Sequence, residues 1–296
     1  MAFTGAIVLA IEPLDGGASN ITCRLRLDGT TIADAVLRLQ RKRGIFEPYN
    51  VLREGRVLAA LWRTDVPVPR MLASEGHPDY LGAPFILMEW VDAPHMGVAG
   101  PDASFPAFAA MVAKIHQVDY EAAGLGFLLK RGSTVGTALA KELDIVARRM
   151  GRFVRPPSPL LERALALLRA SIPEDGRLAL CQGDINVFNY LFRKGEVVSV
   201  VDWEQARISD PRVDLGQLVA LGHLKGAPFG PAEASPFIQL YAAVTSVPVT
   251  GLAWFRARWL WELGVIYHGW RAFNASDPWY SWDDLERLLE ASLSEL

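Results

Sequence analysis

With 296 residues, 51% apolar and 21% charged, the chain is long enough for one large or two moderate globular domains and is not a disordered segment. A net charge of −3 gives no ground for expecting a nucleic acid or an anionic membrane as partner. Two cysteines, Cys23 and Cys181, make no disulfide framework and fit a reducing, cytoplasmic setting. No uncharged apolar run approaches the roughly eighteen residues that span a bilayer. The apolar run 6–11 has no basic flank of the kind a signal peptide carries.

In chain order, apolar alternation predicts strands over 6–11, 21–27 and 31–40, with a turn at 13–17. Helical periodicity follows over 50–62, where Val51, Leu52, Val57, Leu58 and Leu61 share a side; Pro67 and Pro69 end that element. A short apolar strand is expected at 85–88 and a linker at 92–94. Helices are expected over 105–118, 133–149 and 160–170. A β-hairpin interrupts them, with arms 190–192 and 197–201 around Lys194-Gly195. Helices resume over 213–223, 236–243, 252–273 and 282–293. Strands first and helices later imply an α+β protein of two lobes, a strand-rich 1–92 and a mainly helical 93–296. Such an architecture suits a small-molecule site.

The chemistry-bearing residues concentrate in 182–215. Folding of the hairpin brings Asn189 and Asp202 to one end, where an amide oxygen and a carboxylate suit a hard cation such as Mg²⁺. Asp184, five residues before Asn189, can act on a hydroxyl. Earlier in the chain, Gly16-Gly17-Ala18-Ser19-Asn20 is a loop whose glycines permit close approach to a ligand. Ser19 and Asn20 can donate there to phosphate oxygens, although a plain Gly-Gly hairpin turn fits equally. The spacing excludes a Walker loop and a dinucleotide-binding loop. Arg38 lies among apolar neighbours on its strand and needs an anionic partner; Glu54 on the first helix is a candidate, or a solvated acid beside Arg53 and Arg56. Lys42 shares the Arg38 face and is a reserve phosphate anchor, or an exposed loop charge. His116 ends a helix and reads as structural.

Gly183-Asp184, Asn189, Asp202-Trp203-Glu204 and Asp210-Pro211-x-x-Asp214-Leu215 together resemble the aminoglycoside phosphotransferase family of small-molecule kinases, with its choline-kinase-like and macrolide-kinase-like branches. The resemblance covers nearly the whole chain. It implies the protein-kinase-like fold and a Mg²⁺-dependent transfer of the γ-phosphoryl of ATP or GTP to the hydroxyl of a small molecule, with no protein partner evident. It implies Asp184 as catalytic base, Asn189 and Asp202 as metal ligands, and Gly17, Ser19, Asn20, Arg38 and Glu54 on the nucleotide. Met88, Glu89 and Val91 would form the hinge that meets the base. Gln182 and Asp214 would brace the catalytic loop, and Trp261 and Glu262 would touch the acceptor. Two positions depart from the pattern. Arg38 stands where the family carries Lys, as in the branch linked to acyl-CoA dehydrogenase proteins, and Gln182 stands where it carries His. These departures motivate an alternative, a weak or inactive pseudokinase that binds a nucleotide or a partner.

Overall fold

A computed structural model describes residues 5–14, 19–100, 103–225, 235–245 and 249–296. In chain order the elements are β1 (Ile7–Pro13), β2 (Ile21–Asp28), β3 (Asp34–Leu39), α1 (Val51–Leu61), β4 (Met71–Glu75), β5 (Phe85–Glu89), α2 (Phe105–Gln117), α3 (Val135–Phe153), α4 (Pro159–Ala170), β6 (Ala179–Cys181), β7 (Tyr190–Arg193), β8 (Glu196–Val200), β9 (Arg207–Ser209), α5 (Arg212–Lys225), α6 (Pro236–Thr245), α7 (Leu252–Phe273) and α8 (Trp282–Leu293). The class is α+β, as the sequence implies. The strand expected to begin at 31 begins at Asp34, because Gly29, at φ +72°, turns the chain there.

The chain divides into two compact units. The first is Met1–Ala103 with Phe188–Gln205, the second Ser104–Val187 with Ala206–Leu296. The sequence places the break near 92 and assigns the hairpin to the later part. Backbone pairing explains the difference. Met96 N donates to Tyr190 O at 3.1 Å, Phe192 N to Pro94 O at 2.8 Å and Val200 N to Pro67 O at 2.8 Å, so the hairpin is stitched to the first unit on two sides.

In that unit the main sheet is antiparallel in the order β1-β2-β3-β5-β4. The α1 helix starts where the Asn50 side chain caps the Arg53 amide, and it buries Val51, Glu54, Val57, Leu58 and Leu61. A buried Glu on that apolar face requires a cation, which decides much of the site below. The β7–β8 hairpin turns through Lys194 and Gly195 at φ 52° and 80°. Positive φ at both residues is the mark of the tight turns whose twist matches paired strands.

The second unit is built on a helical core. Leu139, Leu143, Leu161, Leu168, Phe255, Trp261, Leu285 and Leu289 are all buried in it. α5 and α7 approach so closely that a Cβ on Gly216 would lie 2.5 Å from Phe255 Cβ; glycine is what permits that packing. The short strands β6 and β9 pair antiparallel, Leu180 opposite Ile208, and carry the chain into and out of the segment 182–206.

Candidate active site

In the first unit the hairpin does what its pattern implies. Tyr190 pairs with Val200, and Val201 N donates to Asn189 O at 2.9 Å, so Asn189 and Asp202 meet at its open end. Asp202 sits at φ +61°, a conformation that costs a non-glycine residue on the order of 1 kcal/mol. The residue that follows holds it there. Trp203 is fully buried, and its indole N–H donates to Val200 O at 2.9 Å. The Asp202 side chain keeps about a third of its surface, 32%, in solvent. An amide oxygen and a partly exposed carboxylate are hard donors of the kind Mg²⁺ takes, so the residues present fit that ion.

Arg38 organises the rest of this unit's site. Its guanidinium is buried and faces three carboxylates. NH1 lies 2.6 Å from Glu54 Oε1 and 2.9 Å from Asp202 Oδ1, and NH2 lies 3.1 Å from Glu204 Oε2. Glu204 Oε2 also accepts from Ser19 Oγ at 2.6 Å and Asn20 Nδ2 at 3.0 Å, while Arg53 NH1 donates to the Glu204 carbonyl at 2.9 Å. One cation thus serves three acids. Burial pushes the Glu54 carboxyl up to about 8, with Arg38 only partly offsetting it and Asp202 and Glu204 adding to it. Burial works against the Arg38 charge, but the three carboxylates outweigh it and raise the guanidinium further above its usual range. Glu204 escaped the sequence reading, and its place two residues after Asp202 was the available signal. Lys42 is exposed. Gly17 lies outside the described residues.

In the second unit the loop after β6 is held by α5. Asp214 Oδ2 accepts from Gln182 N at 2.9 Å, and Oδ1 from Gly183 N at 3.1 Å. Asp214 is itself fixed by His116 Nε2 at 3.1 Å, and His116 Nδ1 meets Tyr241 Oη at 2.9 Å. Gly183, at φ +84°, makes the turn, and Arg207 NH2 donates to its carbonyl at 2.9 Å. Asp184 is partly exposed, and its Oδ1 accepts from Gln217 Nε2 at 3.1 Å. Ligand atoms of His116, Cys181 and Asp214 lie within 4.8 Å of one another. Burial pushes the Cys181 thiol well up, which keeps it a protonated donor to Asp210 O at 3.4 Å. His116 and Asp214 form a hydrogen-bonded brace, and the Cys181 thiol lies beside it on a backbone carbonyl.

A family model described as the phosphotransferase enzyme family matches residues 10–260. The chain belongs to that family. It is 29% identical over 214 residues to mouse acyl-CoA dehydrogenase family member 10, covering 68% of this chain and 19% of that protein. It is 24% identical over 220 residues to human acyl-CoA dehydrogenase family member 11, covering 70% and 27%. The chain therefore spans about a fifth to a quarter of these relatives' lengths. Among solved structures, a protein from Ralstonia eutropha assigned as an aminoglycoside phosphotransferase superposes with a TM-score of 0.71 at 23% identity, covering 96% of this chain and 90% of that one. The GDP complex of an aminoglycoside 2′-phosphotransferase superposes with a TM-score of 0.60 at 18% identity, covering 98% and 94%. These neighbours fix the fold as protein-kinase-like.

The remaining expected site residues of this phosphotransferase-family chain fall as follows. Met88 is buried at the end of β5 opposite Val36, Glu89 N donates to Arg70 O at 2.9 Å, and Val91 O accepts from Ala93 N at 3.0 Å. Trp90, between them, lies under the Arg24 guanidinium at 4.3 Å. The two acceptor residues need correction. Trp261 has no exposed surface, and its indole N–H is taken by Leu161 O at 3.1 Å, so it is a core side chain. Glu262 is spent on Arg258 at 3.1 Å and Arg149 at 3.5 Å. Burial alone would raise its carboxyl, but Arg258, Arg207 and Arg149 hold it below the usual range. The same network ties Glu142 to Arg207 at 3.0 Å and to Arg258 at 2.9 Å. Trp254 is likewise buried, its indole on Leu168 O at 3.0 Å.

Proposed function

We propose that the chain is a Mg²⁺-dependent kinase that moves the γ-phosphoryl group of ATP or GTP to a hydroxyl of a small molecule. The observation that carries this reading is the meeting of Asn189 and Asp202 at the open end of the hairpin, in a chain that belongs to the phosphotransferase family. Asn189 and Asp202 would hold the ion, which supplies neutralisation of charge on the phosphate oxygens. Asp184 receives the proton of the acceptor hydroxyl. The acceptor oxygen forms its bond to the γ-phosphorus as the bond from that phosphorus to the bridging oxygen breaks, and the nucleoside diphosphate leaves. An ordinary carboxylate suffices, because little basicity is needed in a loose transition state and orientation does most of the work. Arg38 and Ser19 stand on the phosphate side, and Met88–Val91 on the base side. A GDP complex among the structural neighbours supports a nucleotide donor.

The acceptor class follows from less. The relatives named as acyl-CoA dehydrogenase family members put hydroxyacyl-CoA esters beside alcohols, amino alcohols and antibiotics in a first screen. The cysteines, one buried and one partly so, and the modest charge support a cytoplasmic protein without a nucleic-acid or membrane partner. Asp184→Ala should lower turnover by about 10²–10⁴-fold while nucleotide binding persists; normal turnover in that variant would remove Asp184 from the role given to it.

One observation favours a second reading, a nucleotide-binding pseudokinase. Ser19, Asn20 and Arg38 direct donors at Glu204, and Arg38 also holds Asp202. A phosphate or an ion must compete with those contacts. A thermal-shift titration with ATP separates the readings: stabilisation that needs Mg²⁺ supports the kinase, and stabilisation indifferent to Mg²⁺ supports the pseudokinase.

A further inference from the structure

One turn of α5 holds three successive residues of the catalytic loop. Asp214 and Gln217 stand three residues apart, a spacing that puts both on one helix face. Asp214 takes the amides of Gln182 and Gly183. Gln217, 4% exposed, reaches the next residue and donates from Nε2 to Asp184 Oδ1 at 3.1 Å. A carboxylate oxygen only accepts, so this contact fixes which end of the Gln217 amide faces the loop. On the other side Arg207, anchored by Glu142 at 3.0 Å, holds the Gly183 carbonyl at 2.9 Å. The backbone at 182–183 is thus immobilised, and the Gln217 contact extends that hold to the Asp184 side chain.

We infer that Gln217 is a positioning residue for Asp184, its buried amide selecting the carboxylate rotamer that meets the acceptor hydroxyl. The inference rests on the kinase reading above, in which orientation matters more than basicity. A short carboxylate side chain that is partly in solvent samples other rotamers unless a donor holds it, and a hydrogen bond to a charged acceptor is stronger than a neutral one. Misplacement of a reacting group by about 1 Å costs on the order of 10²-fold in rate, so partial loss of orientation should cost about tenfold.

The test uses the full chain, ATP with Mg²⁺, and water as the acceptor, with phosphate release as the readout. Gln217→Leu keeps the bulk and removes the donor; kcat should fall about tenfold while the KM for ATP and the melting temperature stay at parental values. Gln217→Glu sets a second carboxylate beside Asp184. Such a pair retains a shared proton to higher pH, so the acid limb of the kcat profile should move up, which a packing defect would not produce. With the aspartate carboxyl carbons isotopically labelled, the Asp184 resonance should move in Gln217→Leu. A parental kcat and an unmoved Asp184 resonance in Gln217→Leu would overturn the inference and leave the kinase reading intact. Loss of kcat accompanied by an equal rise in KM and a lowered melting temperature would also overturn it, as a structural effect. A parental rate in Asp184→Asn, or an unsubstituted protein that neither releases phosphate to water nor transfers it to any alcohol offered, would instead bring down the kinase reading and the inference with it.

Discussion

Replacing Arg38 by Met should expose how far one guanidinium holds the first unit's site together. Met keeps most of the side chain's length and removes a charge that faces Glu54, Asp202 and Glu204 together. The Arg38 and Glu54 side chains are 6% and 1% exposed, so their pair is buried, whereas Asp202, a third exposed, contributes less through solvent screening. Breaking a buried pair by removing one partner costs about 3–5 kcal/mol. At about 2 °C per kcal/mol for a chain of this length, the melting temperature should fall by roughly 6–10 °C. That cost grows above pH 8, because Glu54 is pushed up to about 8 with Arg38 beside it and higher once Arg38 is gone, and at lower pH it holds a proton with or without its partner. The cost should therefore shrink toward pH 6. Arg38→Lys should fall between parent and Met, since one ammonium cannot span three carboxylates. Scanning calorimetry at pH 6 and pH 9 measures all of this. A cost below about 1 kcal/mol at pH 9, or a cost independent of pH, would refute the reasoning.

Three other outcomes follow from the same contacts. Glu54 has a folded value near 8 against an ordinary 4.5, so between those pH values the native state holds a proton that the unfolded chain lacks, and its contribution to stability falls as pH rises through that window. The melting temperature of Glu54→Gln, relative to the parent, should accordingly climb from pH 4.5 to 8; a flat difference would refute the shift. Glu204→Gln weakens the contacts that occupy Ser19, Asn20 and Arg38, and calorimetric titration should show ATP·Mg²⁺ binding several-fold tighter, on the scale of one exchanged charged hydrogen bond; weaker binding would mean that Glu204 supports the nucleotide side. Trp261→Ala should cost about 3–5 kcal/mol by cavity formation. In the same variant the KM for any acceptor should not change, and a raised KM would restore the acceptor role that its burial removes.

Much of this site was legible because its parts are close in sequence. A two-residue turn at Lys194-Gly195 closes the hairpin, so the pairing of Asn189 with Asp202 needs only local geometry. Arg38 was readable as a charge in need of a partner because it lies among apolar strand neighbours, and the family resemblance pointed to Glu54 as that partner. Glu204 was not, since its partner Ser19 lies 185 residues away and its place beside Asp202 does not by itself name that partner. Gln217 was hidden for a similar reason, on a helix with little difference between its faces. β6 and β9 are three residues each, too short to show alternation. Trp261 and Glu262 were misplaced because α7 is buried around much of its circumference and hides Arg258 within that face, so its pattern does not say which side meets a ligand.

The central claim is phosphoryl transfer, and the most direct measurement is transfer of label from γ-radiolabelled ATP or GTP across a panel of alcohols, amino alcohols, hydroxyacyl-CoA esters and antibiotics, with and without Mg²⁺. A labelled product that requires Mg²⁺ and is lost in Asp184→Asn and Asp202→Asn is the predicted result. Nucleotide binding without transfer to any member of the panel, unaffected by Mg²⁺ and by either substitution, would contradict it.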